Sequence, residues 1–250
     1  MSLTIEPMGG LANRLRVIIA GITLCKYLGT SLKINWMHDQ KHCHELRAKE
    51  ISGQHFLEVF EPLGSVGGVD ISFISKNESA DRGNSSTFYR GTDVNFARDI
   101  VQDFNVKFPL FYKVLKPTMP LKEKIDSLSV AYAPYHAVHI RRTDHVDWLK
   151  RNNLEFSPLE RFEDFIARAI DKKVFLATDC KETQNLLSEK YGDQMLFHNS
   201  PHLPESRGAR TTNLQGAVLD IFSCANSQKF LGTKLSSFSG LIQTLRTINE

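Results

Sequence analysis

The apolar positions near the amino terminus change period once within forty residues. Leu3 to Pro7 reads as a short strand, whereas Leu11, Leu15, Ile18, Ile19, Ile22, Cys25 and Leu28 recur at helical spacing. Gly29 stops that helix and Ser31 to Met37 alternates like a strand, so residues 1–37 predict a βαβ unit with parallel strands. The middle is sparser. Its pattern predicts a helix at His55–Phe60, a strand at Val69–Ser75 and a polar loop from Lys76 to Ser86. Tyr89-Arg90-Gly91 then ends a further strand beside an expected cleft, and a helix follows near Val94–Phe104. Pro109, Pro117, Pro120 and Pro134 punctuate residues 105–134, the expected connection between domains.

From Tyr135 the alternation is regular. Strand Tyr135–Arg141 is followed by Ser157-Pro158-Leu159-Glu160, which has the form of a capping box with proline at the first helical position, and by a helix to Ile170. Strand Lys173–Thr178, helix Lys181–Tyr191, strand Gln194–His198, helix Asn213–Ala225, strand Lys229–Gly232 and a helix near Phe238–Ile248 complete the chain. Such β-α alternation predicts an α/β protein with two Rossmann-like parallel-sheet domains, divided here as 1–120 and 121–250.

Composition narrows the class. The chain has 250 residues, of which 41% are hydrophobic, enough for a substantial core without metal or disulfide support. Lys plus Arg exceed Asp plus Glu by only three, 31 against 28, which argues against a nucleic-acid partner and makes any phosphate binding local. Cys25, Cys43, Cys180 and Cys224 form no C-x-x-C pair, in keeping with a reducing compartment. The apolar run Val17 to Cys25 is too short for a bilayer and reads as a folded element rather than a leader, so no transmembrane segment and a cytoplasmic location are expected. The patch His38, His42, Cys43 and His44 lacks the spacing of a defined metal site, and none is predicted.

Two stretches carry candidate chemistry. His139-Ile140-Arg141-Arg142-Thr143-Asp144-His145 lies where a strand ends, the position at which parallel α/β sheets bind ligands. Adjacent guanidinium groups there suit a diphosphate; the bland alternative is a surface arginine pair balanced by Asp144. His145 and Asp147 fall in the loop expected to follow and are within reach as bases. The second stretch, Gly9-Gly10-Leu11-Ala12-Asn13-Arg14, feeds a glycine turn into a helix start but matches neither G-x-G-x-x-G nor the P-loop pattern. Trp36, Trp148, Tyr112, Tyr132 and Tyr135 suit either stacking on a ligand or core packing.

Taken in order, Gly9-Gly10-x-x-Asn13-Arg14 and His139-x-Arg141-Arg142-x-Asp144 resemble motifs of the α1,2-, α1,6- and protein O-fucosyltransferase superfamily. Phe175-Leu176-Ala177-Thr178-Asp179, Gly216-Ala217-Val218-Leu219-Asp220-Ile221, Phe230-Leu231-Gly232 and Leu235-Ser236-Ser237 look like its later motifs, with the nearest likeness to the α1,6 enzymes. The resemblance is loose over 1–37 and close over 135–245. It implies a glycosyltransferase B-type fold with an acceptor-side amino-terminal domain and a GDP-sugar-binding carboxyl-terminal one. It also implies inverting, metal-independent transfer of L-fucose from GDP-fucose to a glycan hydroxyl, with no cofactor beyond that donor substrate. The chain has no D-x-D motif, in agreement.

By resemblance, Arg141 and Arg142 hold the diphosphate, Arg142 stabilises the leaving group, Asp220 pairs with guanine, and Ser236 or Ser237 adds a phosphate contact. Gly9, Gly10, Asn13, Arg14, His139, Asp144 and Asp179 are expected on the donor side. One departure stands out: Leu149 occupies the position, ten residues after the motif histidine, where the α1,6 enzymes carry a glutamate thought to be the base. That leaves His145, Asp147 or no base at all. It also keeps open a transferase for another nucleotide sugar, or a non-catalytic nucleotide- or glycan-binding module.

Overall fold

The computed structural model describes residues 2–36, 55–74, 86–92, 109–198 and 213–249. The predicted helix near Val94–Phe104 and the histidine-rich patch at 38–44 lie outside them. The chain divides into two compact units, Met1–Thr118 and Met119–Glu250.

In the first unit, β1 (Ser2–Pro7) is buried along almost all its length, as a central parallel strand must be. Helix α1 (Leu11–Leu28) returns the chain to β2 (Ser31–Ile34), which pairs parallel with β1 in the register Ile5 to Ile34. Helix α2 (Phe56–Val59) is one turn long and is capped by His55, whose Nδ1 accepts from the Leu57 amide while the Glu58 carboxylate accepts from the His55 amide. It presents Phe56 to Phe60, Phe73 and Trp36, with ring centroids 4.7–5.4 Å apart. Strands β3 (Ser65–Val66), β4 (Val69–Phe73) and β5 (Ser86–Thr92) complete a sheet of order β3-β4-β2-β1-β5, parallel except for the β3–β4 hairpin.

The expected connection over 105–134 is largely structured: Pro109–Val114 is a 3-10 helix and Met119–Tyr132 is an α-helix, α3. Proline obscured it, because Pro120 falls in the first turn, where a missing amide costs nothing. Strand β6 (His136–Ile140) is followed by a second unforeseen helix, α4 (Asp144–Arg151), where a loop was expected. Only His145 and Leu149 of α4 are buried, so the segment carries too few apolar positions to show a period.

Helix α5 (Leu159–Ala167), β7 (Val174–Thr178), α6 (Lys181–Tyr191), β8 (Met195–Leu196), α7 (Leu214–Ala225), β9 (Lys229–Gly232) and α8 (Ser237–Asn249) follow. The second sheet has the order β8-β7-β6-β9 and is wholly parallel. On one face, Val138, Ile140, Val174 and Leu176 pack against Phe162 and Ile166 of α5 and Leu187 of α6.

Three details depart from the sequence pattern. Strands β2 and β8 are shorter than expected. Pro158 is the N-cap of α5, so Ser157 makes no capping box; its hydroxyl accepts from the Lys234 amide instead.

Gly232 ends β9 against α8, and a Cβ there would lie 2.6 Å from Ser239 Cβ. Gly232→Ala is therefore expected to cost about 1–3 kcal/mol by overpacking. A calorimetric melt checks it; an unchanged melting temperature would show that α8 yields freely.

Candidate active site

The site in the second unit is built at the carboxyl ends of three neighbouring strands, β7, β6 and β9. β6 runs out at Ile140 into the turn Arg141-Arg142-Thr143, and both flanking strands hold this turn. From β7, the buried Asp179 accepts from the Arg142 amide (2.9 Å) through Oδ1 and from the Thr143 hydroxyl (2.6 Å) through Oδ2. From β9, Thr233 Oγ1 donates to the His139 carbonyl (2.9 Å) and accepts from the Arg141 amide (2.9 Å). The turn is fixed on two sides before any ligand arrives.

The two arginines are thereby made unequal. Arg141 Nη2 donates to both oxygens of Asp144 at 3.0 and 3.2 Å, and its Nε lies 3.9 Å from Asp179. Its charge is largely balanced inside the protein. Arg142 makes no ion pair and no side-chain hydrogen bond among the described residues, and its guanidinium carbon sits 5.9 Å from the centre of the Phe156 ring. It is half-buried, so its cation is within reach of a ligand.

His139, on buried β6, bonds through Nδ1 to Ser239 Oγ (2.7 Å) and stacks on Phe238 at 4.6 Å, which secures α8 to the strand. Ser236 is buried just before α8 and accepts from the Ser239 amide at 3.4 Å, the geometry of a helix cap; Ser237 is the first residue of the helix. The intervening turn contains Leu235 at φ +57°, a left-handed conformation that costs free energy in any residue but glycine. It persists because Lys234 is held from both sides, its amide by Ser157 and its carbonyl by His145 Nε2–H (3.1 Å).

His145 is thus a buried brace for that turn, stacked at 5.8 Å on Trp148. Burial holds its pKa below the ordinary histidine range, partly offset by the Lys234 carbonyl, and the ring is neutral at pH 7. Asp147 is exposed on the outer side of α4, away from the face that carries His145 and Leu149. Leu149, 1% exposed, is a core residue and leaves no carboxylate at that position.

Asp220 lies on α7, whose first turn is capped by Asn213 accepting from the Gly216 amide at 2.7 Å. Its carboxyl has no hydrogen-bond or ion-pair partner among the described residues, and burial pushes its pKa well above the carboxylate range. An unpaired acceptor in a partly buried place suits a ligand that brings its own N–H groups.

The amino-terminal motif falls in the first unit. Gly9 has φ +98°, which only glycine adopts easily, and Gly10 is the N-cap of α1. Arg14 is fully buried, with its guanidinium carbon 3.2 Å from the Trp36 ring centre. Asn13 is partly buried beside Gly9. Tyr112 and Tyr135 are core residues, whereas Trp148 and Tyr132 are exposed.

Thr143, Thr233 and Ser157 were absent from the sequence-based candidates. The only signal was position, a hydroxyl residue one step past a strand or before a helix. No group of three metal-ligating side chains occurs among the described residues, and no helix among them is long and apolar enough to cross a membrane.

No family model matches the sequence, and no curated protein matches it either. Solved structures do. The chain superposes on NodZ α1,6-fucosyltransferase co-crystallised with GDP at a TM-score of 0.58 and 15% identity, over 96% of this chain and 91% of that one. The enzyme described as NodZ from Bradyrhizobium gives a TM-score of 0.57 at 14% identity, over 96% and 91%. POFUT1 in complex with GDP-fucose gives 0.61 at 14% identity, over 98% and 94%. With its two α/β units, whose sheets are parallel apart from the β3–β4 hairpin, the chain has the fold of these fucosyltransferases.

Proposed function

We propose that this chain is a metal-independent, inverting glycosyltransferase that moves L-fucose from GDP-fucose to a glycan hydroxyl. The observation that carries the reading is the contrast between the two motif arginines. Asp179 and Thr233 fix the backbone of the turn and Asp144 balances Arg141, so the Arg142 guanidinium is left unpaired at a strand end. A diphosphate leaving group gathers negative charge on its β-phosphate as the glycosidic bond breaks. A preorganised guanidinium stabilises that charge without having to reorganise.

Asp220 supplies the second recognition element. Guanine presents a ring N–H and an exocyclic amine side by side, both of which a carboxylate can accept, whereas uracil lacks the amine. The fold shared with proteins solved with GDP and GDP-fucose supports the same donor. Neither His145, held as a neutral brace, nor exposed Asp147 has the geometry of an oriented base. In this reading the loosely bonded, oxocarbenium-like transition state asks little of the acceptor hydroxyl, and leaving-group stabilisation by Arg142 carries most of the rate.

Titration calorimetry of GDP, UDP and ADP tests the donor. GDP is expected to bind at least tenfold tighter than UDP, and equal or tighter UDP binding would overturn the role of Asp220. Incubating GDP-fucose with a panel of glycans tests the reaction. Binding of GDP without release of fucose to any acceptor or to water would favour a non-catalytic binding module.

A further inference from the structure

A cavity lies at the other end of the same sheet from Arg142, beside the amino end of β6, between α5 and β9, the last strand of the sheet among the described residues. It measures about 580 Å³, within the range of small-molecule sites. Arg161 and Arg168 line it from α5 and the turn that follows, and Lys229 lines it from β9. None of the three forms an ion pair among the described residues, although Asp164 stands four residues before Arg168, the spacing at which helical pairs usually close. Three cations face one carboxylate, so the cavity has a net positive field.

Its wall is built to contact more than a bare ion. Phe165 and Leu231 supply apolar surface, and Asp164 is an acceptor free to take hydroxyl groups. His136 also lines the cavity, 6% exposed.

We propose that this cavity binds a small acidic sugar, a monosaccharide bearing a phosphate or a carboxylate. The anionic group lies among Arg161, Arg168 and Lys229, where charge-assisted hydrogen bonds are strongest. The ring packs on Phe165 and its hydroxyls reach Asp164. The inference rests on the electrostatics of this cavity and is independent of the donor reading, because β6 separates it from Arg142 by the length of the strand.

The test titrates the full chain with glucose 6-phosphate, glucuronate, glucose and inorganic phosphate, followed by amide chemical shifts. The proteins are the parent, the double variant Arg161→Ala with Arg168→Ala, Lys229→Gln, and Arg142→Ala. At least one acidic sugar is expected to bind the parent and Arg142→Ala equally, and to bind the double variant at least tenfold more weakly. Glucose should show no saturation, and the comparison of glucose 6-phosphate with glucuronate tells phosphate from carboxylate recognition. GDP affinity should be the same in the parent and the double variant. If the double variant melts early, Lys229→Gln decides, with a severalfold loss expected. The proposal is overturned if neither acidic sugar binds, if binding survives in both cavity variants, if Arg142→Ala abolishes it, or if inorganic phosphate binds as tightly as the phosphorylated sugar.

Discussion

Arg142→Ala is expected to lower turnover with GDP-fucose by about 10²–10³-fold, roughly 3–4 kcal/mol of transition-state stabilisation, with a melting temperature near that of the parent. Stability should be spared because the guanidinium contributes no ion pair to the fold among the described residues. The turn around it is fixed through the Arg142 amide, which alanine retains. Arg142→Lys is expected to fail nearly as badly, since a point charge cannot reproduce a planar two-pronged contact with a diphosphate. Initial-rate kinetics and a thermal melt on the same preparations check both. Retention of more than about a tenth of the parental turnover by Arg142→Ala, well above the loss of one such donor, would remove Arg142 from the mechanism.

Asp220→Asn should separate binding from stability. Losing a charged acceptor to the guanine edge is expected to cost about 1.5–3 kcal/mol, roughly 10–150-fold in GDP affinity, with little change for UDP. The free protein should not suffer. Burial raises the Asp220 pKa above its unfolded value of 3.8, so the folded state holds the proton more tightly than the unfolded state. Asp220 therefore favours folding below that value, and the advantage fades as pH rises through the folded pKa. An asparagine, which never ionises, should leave the variant at least as stable as the parent at neutral pH.

The same sign governs the ligand. Guanine N–H groups favour the ionised carboxylate, so wherever Asp220 is protonated in the free protein, GDP binding releases a proton and weakens as pH falls. Calorimetry in two buffers of different ionisation enthalpy measures that proton. Its absence in the parent, or its persistence in Asp220→Asn, would place the guanine elsewhere.

The alternation of apolar runs determined most of the architecture, because buried parallel strands are apolar on both faces and surface helices on one. β1 with α1 and β2, and the series from β6 to α8 apart from α4, follow directly from that pattern. The same logic explains the omissions. Helix α4 buries only two side chains, and α3 is introduced by prolines that read as a break. The order of the motifs and the placement of Arg141-Arg142 at a strand end were also legible in the chain.

What the linear order does not contain is which of two adjacent arginines is free. Asp144 is close in sequence, but Asp179 and Thr233 reach the turn from β7 and β9, 37 residues away from Arg142 and 92 from Arg141. Only the pairing of those strands with β6 brings them within hydrogen-bond range. Tertiary structure likewise sets His145 against the Lys234 carbonyl and Arg14 against the Trp36 ring, contacts that sequence spacing does not announce. A hydrogen bond is decided over about 3 Å, whereas sequence pattern reports only which face of an element is apolar. The elements were therefore fixed locally, and the charges that remain available to a ligand were fixed by packing.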